Sequence, residues 1–286
     1  MSKLSILVCA HKQDQYLRRE APYLPIHAGK ALHRDVDLGI VGDDEGDNIS
    51  DRNPRYCELT ALYWGWKNLK DVKYAGLAHY RRYLDIDIND DNVDSLMRGC
   101  DIIVGSREVV AGRILQGIVE LTSHEDTYIF FDTLLKHHPE YMQAILEYCC
   151  NSNAWYKCTM FIARKELYDR FCETFFPVFF ETETRLRTYP FSRQNRAIAY
   201  FGELSLGLFI VQNRLKTKTV PILAYPQTPR PRRTLLHPHL RFVGVIKTQI
   251  RILGFRMEAD RWTRFKLFDS AVAALKADGV ELKYLK

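Results

Sequence analysis

Tyr74-Ala-Gly-Leu-Ala-His79-Tyr80-Arg81-Arg82-Tyr83 is the stretch whose reading decides the fold. Its apolar start has the length and composition of a buried strand. That strand signal, from Lys73 to Ala78, feeds directly into a histidine, two arginines and two tyrosines. In an open α/β sheet, ligands bind just beyond the carboxyl ends of the strands. His79, Arg81 and Arg82 therefore fall where a phosphorylated ligand would sit. Guanidiniums bind phosphate oxygens through paired, charge-assisted hydrogen bonds. Taken alone, the same residues also suit a solvated basic turn.

Outward from this stretch, strand and helix signals alternate. Leu4 to Cys9 reads as a buried first strand that ends in the cationic pair His11-Lys12. Asp37 to Val41 reads as a second strand leading into the polar turn Gly42-Asp-Asp-Glu-Gly-Asp47-Asn48-Ile-Ser50. Asn53-Pro54 starts a helix that Glu58 to Leu69 continues, with Leu59, Leu62, Tyr63, Trp66 and Leu69 at helical spacing. Asp91 to Arg98 reads as a short helix, and Asp101 to Val104 and Cys158 to Ala163 as strands. Asp126 to His137, Glu140 to Cys149, Lys165 to Glu183 and Arg196 to Asn213 read as helices, with Pro177 set to kink or interrupt the third. Thr217 to Leu223 reads as a late strand. The alternation predicts an α/β domain with a mostly parallel sheet flanked by helices. Pro221, Pro226, Pro229, Pro231 and Pro238 mark a boundary, which divides the chain into a domain over 1–225 and an extension over 226–286. In the extension, Leu240 to Phe255 reads as a basic amphipathic helix, with Val243, Ile246, Ile250 and Leu253 along one face.

The hydrophobic fraction of 47% predicts a real core and excludes a disordered chain. No apolar run approaches the roughly 18–20 residues needed to span a bilayer. The N-terminal residues read as a core strand rather than a signal peptide. The seven cysteines are odd in number and form no CxxC pair, which argues against zinc and for reduced thiols in a cytoplasmic protein. Between Glu203 and Glu258 there is no acid, whereas ten lysines and arginines lie in that interval. They exceed the whole-chain excess of +6, so the remainder is net acidic. A field this lopsided points to an anionic partner. The positive charge is not interleaved with stacking aromatics and no nucleic-acid motif occurs, so nucleic acid is not expected.

No G-x-G-x-x-G, Walker A or G-x-S-x-G sequence occurs, which disfavours a Rossmann dehydrogenase, a P-loop kinase and an α/β-hydrolase. Glu203 is a single acid within Ala199-Tyr-Phe-Gly-Glu-Leu-Ser-Leu-Gly-Leu. An acid on a largely apolar helix is costly to bury unless paired or protonated. It reads as a general base with a raised pKa, or as a residue on an exposed face or paired to an arginine. His124 and Asp126 are rivals: His124 could contact substrate, and Asp126 could cap its helix. Asp47, Asn48 and Ser50 suit a nucleobase or ribose and equally suit bonding to their own turn. Glu58 could orient His79 or an arginine, or help start its helix.

His11-Lys12, Pro25-Ile-His-Ala-Gly29, Gly42-Asp-Asp-Glu-Gly-Asp-Asn-Ile-Ser50, Glu58-Leu-Thr-Ala-Leu-Tyr-Trp64 and His79-Tyr-Arg-Arg-Tyr83 occur in that order. Together they resemble a bacterial family found in capsule, exopolysaccharide and lipopolysaccharide O-antigen gene clusters. Its members are described as glycosyltransferases or only as a domain of unknown function. The resemblance continues through His124, Met160-Phe-Ile, Lys165-Glu-Leu-Tyr and Glu203, and covers about residues 3 to 225. Cys158-Thr159 departs from it, since relatives tend to have Asn before the Met. The resemblance implies a GT-A-like, Rossmann-like fold and transfer of a hexose from a nucleotide sugar, UDP-linked, to a glycan acceptor. Galactose or galactofuranose is the implied donor sugar.

On that reading Glu203, His79, Arg81 and Arg82 form the catalytic set. His11, Lys12, Asp47, Asn48, Glu58, Tyr80 and His124 form the donor and substrate set. Many GT-A-like enzymes stabilise the departing diphosphate with a metal, Mn or Mg, held by Asp-x-Asp. Here Arg81, Arg82 and Lys12 are expected to supply that charge. Asp85-Ile-Asp87 is the metal alternative. A base such as Glu203 suits inversion. The basic extension suits peripheral contact with an anionic membrane at the inner cell surface, where a lipid-linked acceptor would lie, or a helix packed on the domain. The alternative to an enzyme is a non-catalytic module that binds an anionic glycan or nucleic acid.

Overall fold

The computed structural model describes residues 2–110, 112–187, 193–226 and 266–285. In chain order the strands are β1 (Leu4–Ala10), β2 (Tyr23–His27), β3 (Val41–Gly42), β4 (Tyr74–His79), β5 (Arg82–Leu84), β6 (Ile102–Gly105), β7 (Glu108–Val109), β8 (Ala154–Trp155), β9 (Phe161–Arg164), β10 (Thr217–Val220) and β11 (Ile222–Ala224). The main sheet runs β10-β6-β9-β4-β1-β2-β3, with β5 joined to β4 and to β11. Strands β4, β1, β2 and β3 are parallel to one another, as are β10 and β6. β9 lies antiparallel between β4 and β6. β7 and β8 form a separate ribbon.

The central strands are apolar on both faces because both faces are covered. Side chains alternate along a strand. Thus Leu4, Ile6 and Val8 enter one core cluster while Leu7 enters the other. In β4, Ala75 and Leu77 share the face of Leu7, and Tyr74 and Ala78 share that of Ile6. His79 is next in the Ala75–Leu77 row, so the period of two directs it to the larger cluster.

That larger layer is helical. The helices are α1 (Asn53–Tyr56), α2 (Leu59–Asn68), α3 (Val93–Leu96), α4 (Ile114–Leu121), α5 (His124–His137), α6 (Met142–Ala144), α7 (Lys165–Arg185), α8 (Ala197–Gln212) and α9 (Lys266–Ala277). α2, α4, α5, α7 and α8 contribute their apolar faces to the cluster containing Leu7. Phe268 and Val272 of α9, with Leu282 and Leu285, join the same core. Arg185 and the N–H groups of Tyr284 and Leu285 converge on Asp132, whose side chain is 1% exposed. The described part of the C-terminal extension is therefore bonded to the main core. The stretch from Leu240 to Phe255 lies outside the described residues. Among the described residues no helix is long and apolar enough to cross a membrane.

Several elements differ from the sequence expectation for local physical reasons. The strand expected over Asp37 to Val41 contracts to Val41–Gly42, because Asp37 turns the chain by accepting the Gly39 N–H at 2.7 Å. Pro221 divides the late strand into β10, parallel to β6, and β11, antiparallel to β5. Pro177 does not interrupt α7. The helix expected after Pro139 is a 3-10 turn, then α6, then a π-helical segment over Ile145–Cys150. The strand expected from Cys158 begins only at Phe161, because Cys158 and Thr159 take left-handed φ values of 71° and 46°. β2, with Pro25 inside it, and α4 go beyond the sequence reading.

Candidate active site

The carboxyl ends of β1 and β4 lie side by side, with Cys9 opposite His79. A two-residue turn, Tyr80-Arg81, folds β5 back so that His79 pairs with Arg82. Directly opposed residues of an antiparallel pair share one face, with Cβ atoms about 5 Å apart. The stretch read as a strand followed by a basic loop is thus a hairpin that aims His79 and Arg82 the same way. The tip carries the other two residues. Tyr80 meets the His11 ring edge-on at 5.3 Å. Arg81 donates from Nε to Asp14 Oδ2 at 2.7 Å and pairs with the same carboxylate oxygen through a second nitrogen at 2.6 Å, so its charge is largely answered there. Arg82 is exposed and makes no ion pair among the described residues.

Two carboxyl groups come together beneath the hairpin. Glu58 sits immediately before α2 and is 7% exposed. Glu203 lies in the second turn of α8 and is half-buried. The residues next to them explain the meeting. Gly202 packs so tightly on Leu59 that a Cβ there would lie 2.7 Å from a Leu59 methyl carbon. That close approach brings the neighbouring Glu203 and Glu58 to the same place. Burial pushes Glu58 up to about 7. Burial, and then the charge of Glu58, push Glu203 up to about 7. Arg196 and Arg82 favour the ionised form of Glu58, and His79 and Lys157 that of Glu203. The pair therefore titrates near neutrality and shares protons as a unit.

The turn Cys158-Thr159 holds all three groups. The Cys158 N–H faces Glu203 and favours its ionised form. The Cys158 carbonyl accepts from His79 Nε2 at 2.6 Å, and the Thr159 hydroxyl donates to Glu58 Oε1 at 3.4 Å. A carbonyl only accepts, so His79 carries its proton on Nε2 and keeps the Nδ1 lone pair. Burial holds this imidazole in the neutral form. Cys57, next to Glu58, also takes a positive φ, 48°. Such backbone costs ~1–3 kcal/mol per residue and persists where the surroundings over-determine it, commonly at active sites. Three of these residues border one pair of acids.

The rim is cationic. Arg196, at the start of α8, donates from Nε to the Cys57 sulfur at 3.1 Å and draws Glu58 toward its ionised form. Desolvation, followed by the charges of Lys12, Arg81, His33 and Arg196, lowers the pKa of His11. A histidine whose protonation is opposed by so many cations marks a concentration of positive potential. The partly buried thiols Cys9, Cys57 and Cys158 also border the site. Burial raises all three, Cys57 to about 11 and Cys158 to about 12, so they remain protonated and are poor nucleophiles.

The remaining expected site residues lie elsewhere or bond locally. Asp47 accepts from Tyr63 Oη at 3.1 Å, and its backbone is clasped by Asn68. Asn48 closes its own turn through the carbonyls of Asp44 and Gly46. His124 is exposed at the start of α5, where Ser123 rather than Asp126 caps the helix. Asp85 and Asp87 follow β5, with Asp87 near Tyr23 at the start of β2, away from the strand ends. Among the described residues no group of three or more His, Cys, Asp or Glu is placed to hold a metal. Asp85 and Asp87 belong to no such group. Sequence reasoning missed Arg196, Cys57 and Thr159. Arg196 sits seven residues before Glu203 on an adjoining segment, which is the signal that could have found it.

The fold matches a solved structure of the WbbM bifunctional glycosyltransferase in its apo form, with a TM-score of 0.70 and 28% identity. The match covers 77% of this chain and 45% of that one, so this chain spans under half the length of its structural relative. The sheet and its helical layers are accordingly those of a GT-A-like α/β fold. No curated protein matches. A family model matches residues 5–214, from β1 through the residues that follow α8, and the chain belongs to that family, described as a domain of unknown function, DUF4422.

Proposed function

We propose that this chain is a glycosyltransferase that moves a hexose from a nucleotide-sugar donor to a glycan acceptor. One observation carries the reading. Arg82 and Arg196 act on the buried acid Glu58, which with Glu203 is raised to about 7 at the strand ends, and Lys12 adds to the positive field around the neighbouring His11. A nucleoside diphosphate needs the rim, and an acceptor hydroxyl needs the acid. The likeness to a glycosyltransferase over most of this chain supports the same reading.

In the reaction the acceptor oxygen attacks the anomeric carbon. The carbon–oxygen bond to the diphosphate breaks, and its electron pair leaves on the nucleoside diphosphate. The hydroxyl proton passes to the carboxylate of Glu203. Arg82 and Arg196 answer the charge that develops on the leaving group, with Arg81 acting through its hold on the hairpin tip. The Glu58 carboxylate, favoured by Arg196 and Arg82, keeps Glu203 basic, and His79 Nδ1 accepts from a sugar hydroxyl. A displacement of this kind inverts the anomeric centre. Our reading takes the donor as UDP-linked galactose in either ring form. It takes the acceptor as a growing surface glycan, lipid-linked and reached from the cytoplasmic side of the membrane.

The test is release of nucleoside diphosphate from UDP-, GDP-, CMP- and dTDP-sugars, with EDTA and with Mn²⁺. Release from one donor supports an enzyme and names its class. Retention of activity in EDTA supports charge stabilisation by arginine. Binding of anionic glycan without turnover of any donor would overturn the reading in favour of a binding module.

A further inference from the structure

Cys158 and Thr159 are consecutive residues in left-handed backbone, and neither is glycine. Such a turn relaxes to ordinary φ values unless both of its ends are fixed. Downstream, Phe161 enters β9 and pairs with Leu77 and Val104. Upstream, the Tyr156 N–H donates to the Tyr148 hydroxyl at 3.0 Å, a buried bond. The two rings stack with centroids 6.3 Å apart. Tyr148 belongs to the π-helical segment Ile145–Cys150, and π-turns inside helical segments are frequent at functional sites. Its ring occupies the gap left by Gly207, where a Cβ would lie 1.9 Å from the Tyr148 ring. Gly207 is one turn beyond Glu203 on α8. Tyr148 thus touches the helix that carries Glu203 and the segment that leads into the Cys158-Thr159 turn.

We propose that Tyr148 is a positioning residue that acts through Tyr156 and the Cys158-Thr159 turn to fix Glu203 and His79. Two hydrogen bonds frame the path: Tyr156 N–H to the Tyr148 hydroxyl and, two residues on, His79 Nε2 to the Cys158 carbonyl, while the Cys158 N–H faces Glu203 and favours its ionised form. Loss of the hydroxyl frees the upstream end, and the turn swings its N–H and C=O away from both groups. A displacement near 1 Å at a catalytic group costs on the order of 100-fold in rate. The catalytic consequence rests on Glu203 being the base, but the anchoring does not.

The test uses the full chain with Tyr148→Phe, which keeps the ring, and Gly207→Ala, which displaces it. Amide hydrogen exchange is followed over residues 156–160, and the Glu203 carboxyl is titrated by NMR with ¹³C-labelled glutamate. Both variants should exchange at least about tenfold faster there. The Glu203 midpoint should rise, because the Cys158 N–H favours its ionised form. With a competent donor, kcat should fall about 10- to 100-fold at unchanged donor KM. Unchanged exchange over 156–160 and an unmoved Glu203 midpoint in Tyr148→Phe would overturn the proposal, whatever the activity. Should Gly207→Ala fail to fold, Tyr148→Phe alone decides. A wild type that turns over no donor, with faster exchange and a raised midpoint in the variant, would sink the transferase reading and leave the anchor standing.

Discussion

Two carboxyl groups in one half-buried site resist holding full charge together, and that conflict sets the chemistry of Glu203. It can accept a proton near neutrality because Glu58 and burial raise it. Glu203→Gln should lower kcat by roughly 10²–10⁴-fold, the usual contribution of a general base. In the wild type, kcat should fall on acidification through about pH 7, where the pair takes up protons. Glu58→Gln removes the repelling charge, so that acid limb should move to lower pH in the rate profile. Stability follows with the opposite preference. The folded pKa exceeds the ordinary 4.5, so the stabilisation is fully present below about 4.5 and is lost as pH rises through about 7. Glu203→Gln should therefore melt above the wild type at pH 8, and a lower melting point would contradict this. His11 reports on the rim. UDP binding there should raise the His11 titration midpoint in ¹H NMR, because an anion offsets the cations that now lower it.

At the scale of elements, strain and packing divide the work. α7 carries Pro177 on its exposed face, where the ring removes one N–H donor and leaves the neighbouring carbonyl to water. Pro177→Ala should stabilise the protein by ~1–3 kcal/mol in urea denaturation, with no change in kcat. The same helix shows what was legible in the sequence. Its period of apolar residues predicts it through the proline, since Phe175, Phe176 and Phe179 bury their rings on either side. Strands β1 and β4 were legible because two-sided burial leaves a continuous apolar run. His79, at the end of an apolar strand, and Glu203, within an apolar helix, stood out as polar residues. The hairpin at Tyr80-Arg81 was not legible, because no glycine or asparagine marks it. The Cys158-Thr159 turn was hidden for the same reason: tertiary contacts, not local preference, hold its left-handed backbone. Arg81 looked equivalent to Arg82 until Asp14, distant in sequence, distinguished them.

At the largest scale, the sheet separates a small core from a large helical one among the described residues. The C-terminal residues close that layer. Asp132 accepts from Arg185 at 2.8 Å and from the Leu285 N–H at 2.9 Å, while Arg185 also donates to the Glu281 carbonyl at 2.7 Å. Asp132→Ala would strand a partly buried guanidinium and two N–H groups, at a cost of about 3 kcal/mol in denaturant unfolding. Placing the C-terminal residues in the core was beyond sequence reading, because their apolar positions, Phe268, Val272, Leu282 and Leu285, are few and widely spaced. The central claim is that the rim and the acid pair at the strand ends perform sugar transfer together. The most direct measurement is nucleoside diphosphate release from UDP-galactose in both ring forms, comparing wild type, Arg82→Ala and Glu203→Gln. The account predicts turnover by the wild type, loss of at least about 100-fold in each variant, and retained UDP binding by Glu203→Gln. Turnover by Glu203→Gln at the wild-type rate would contradict it.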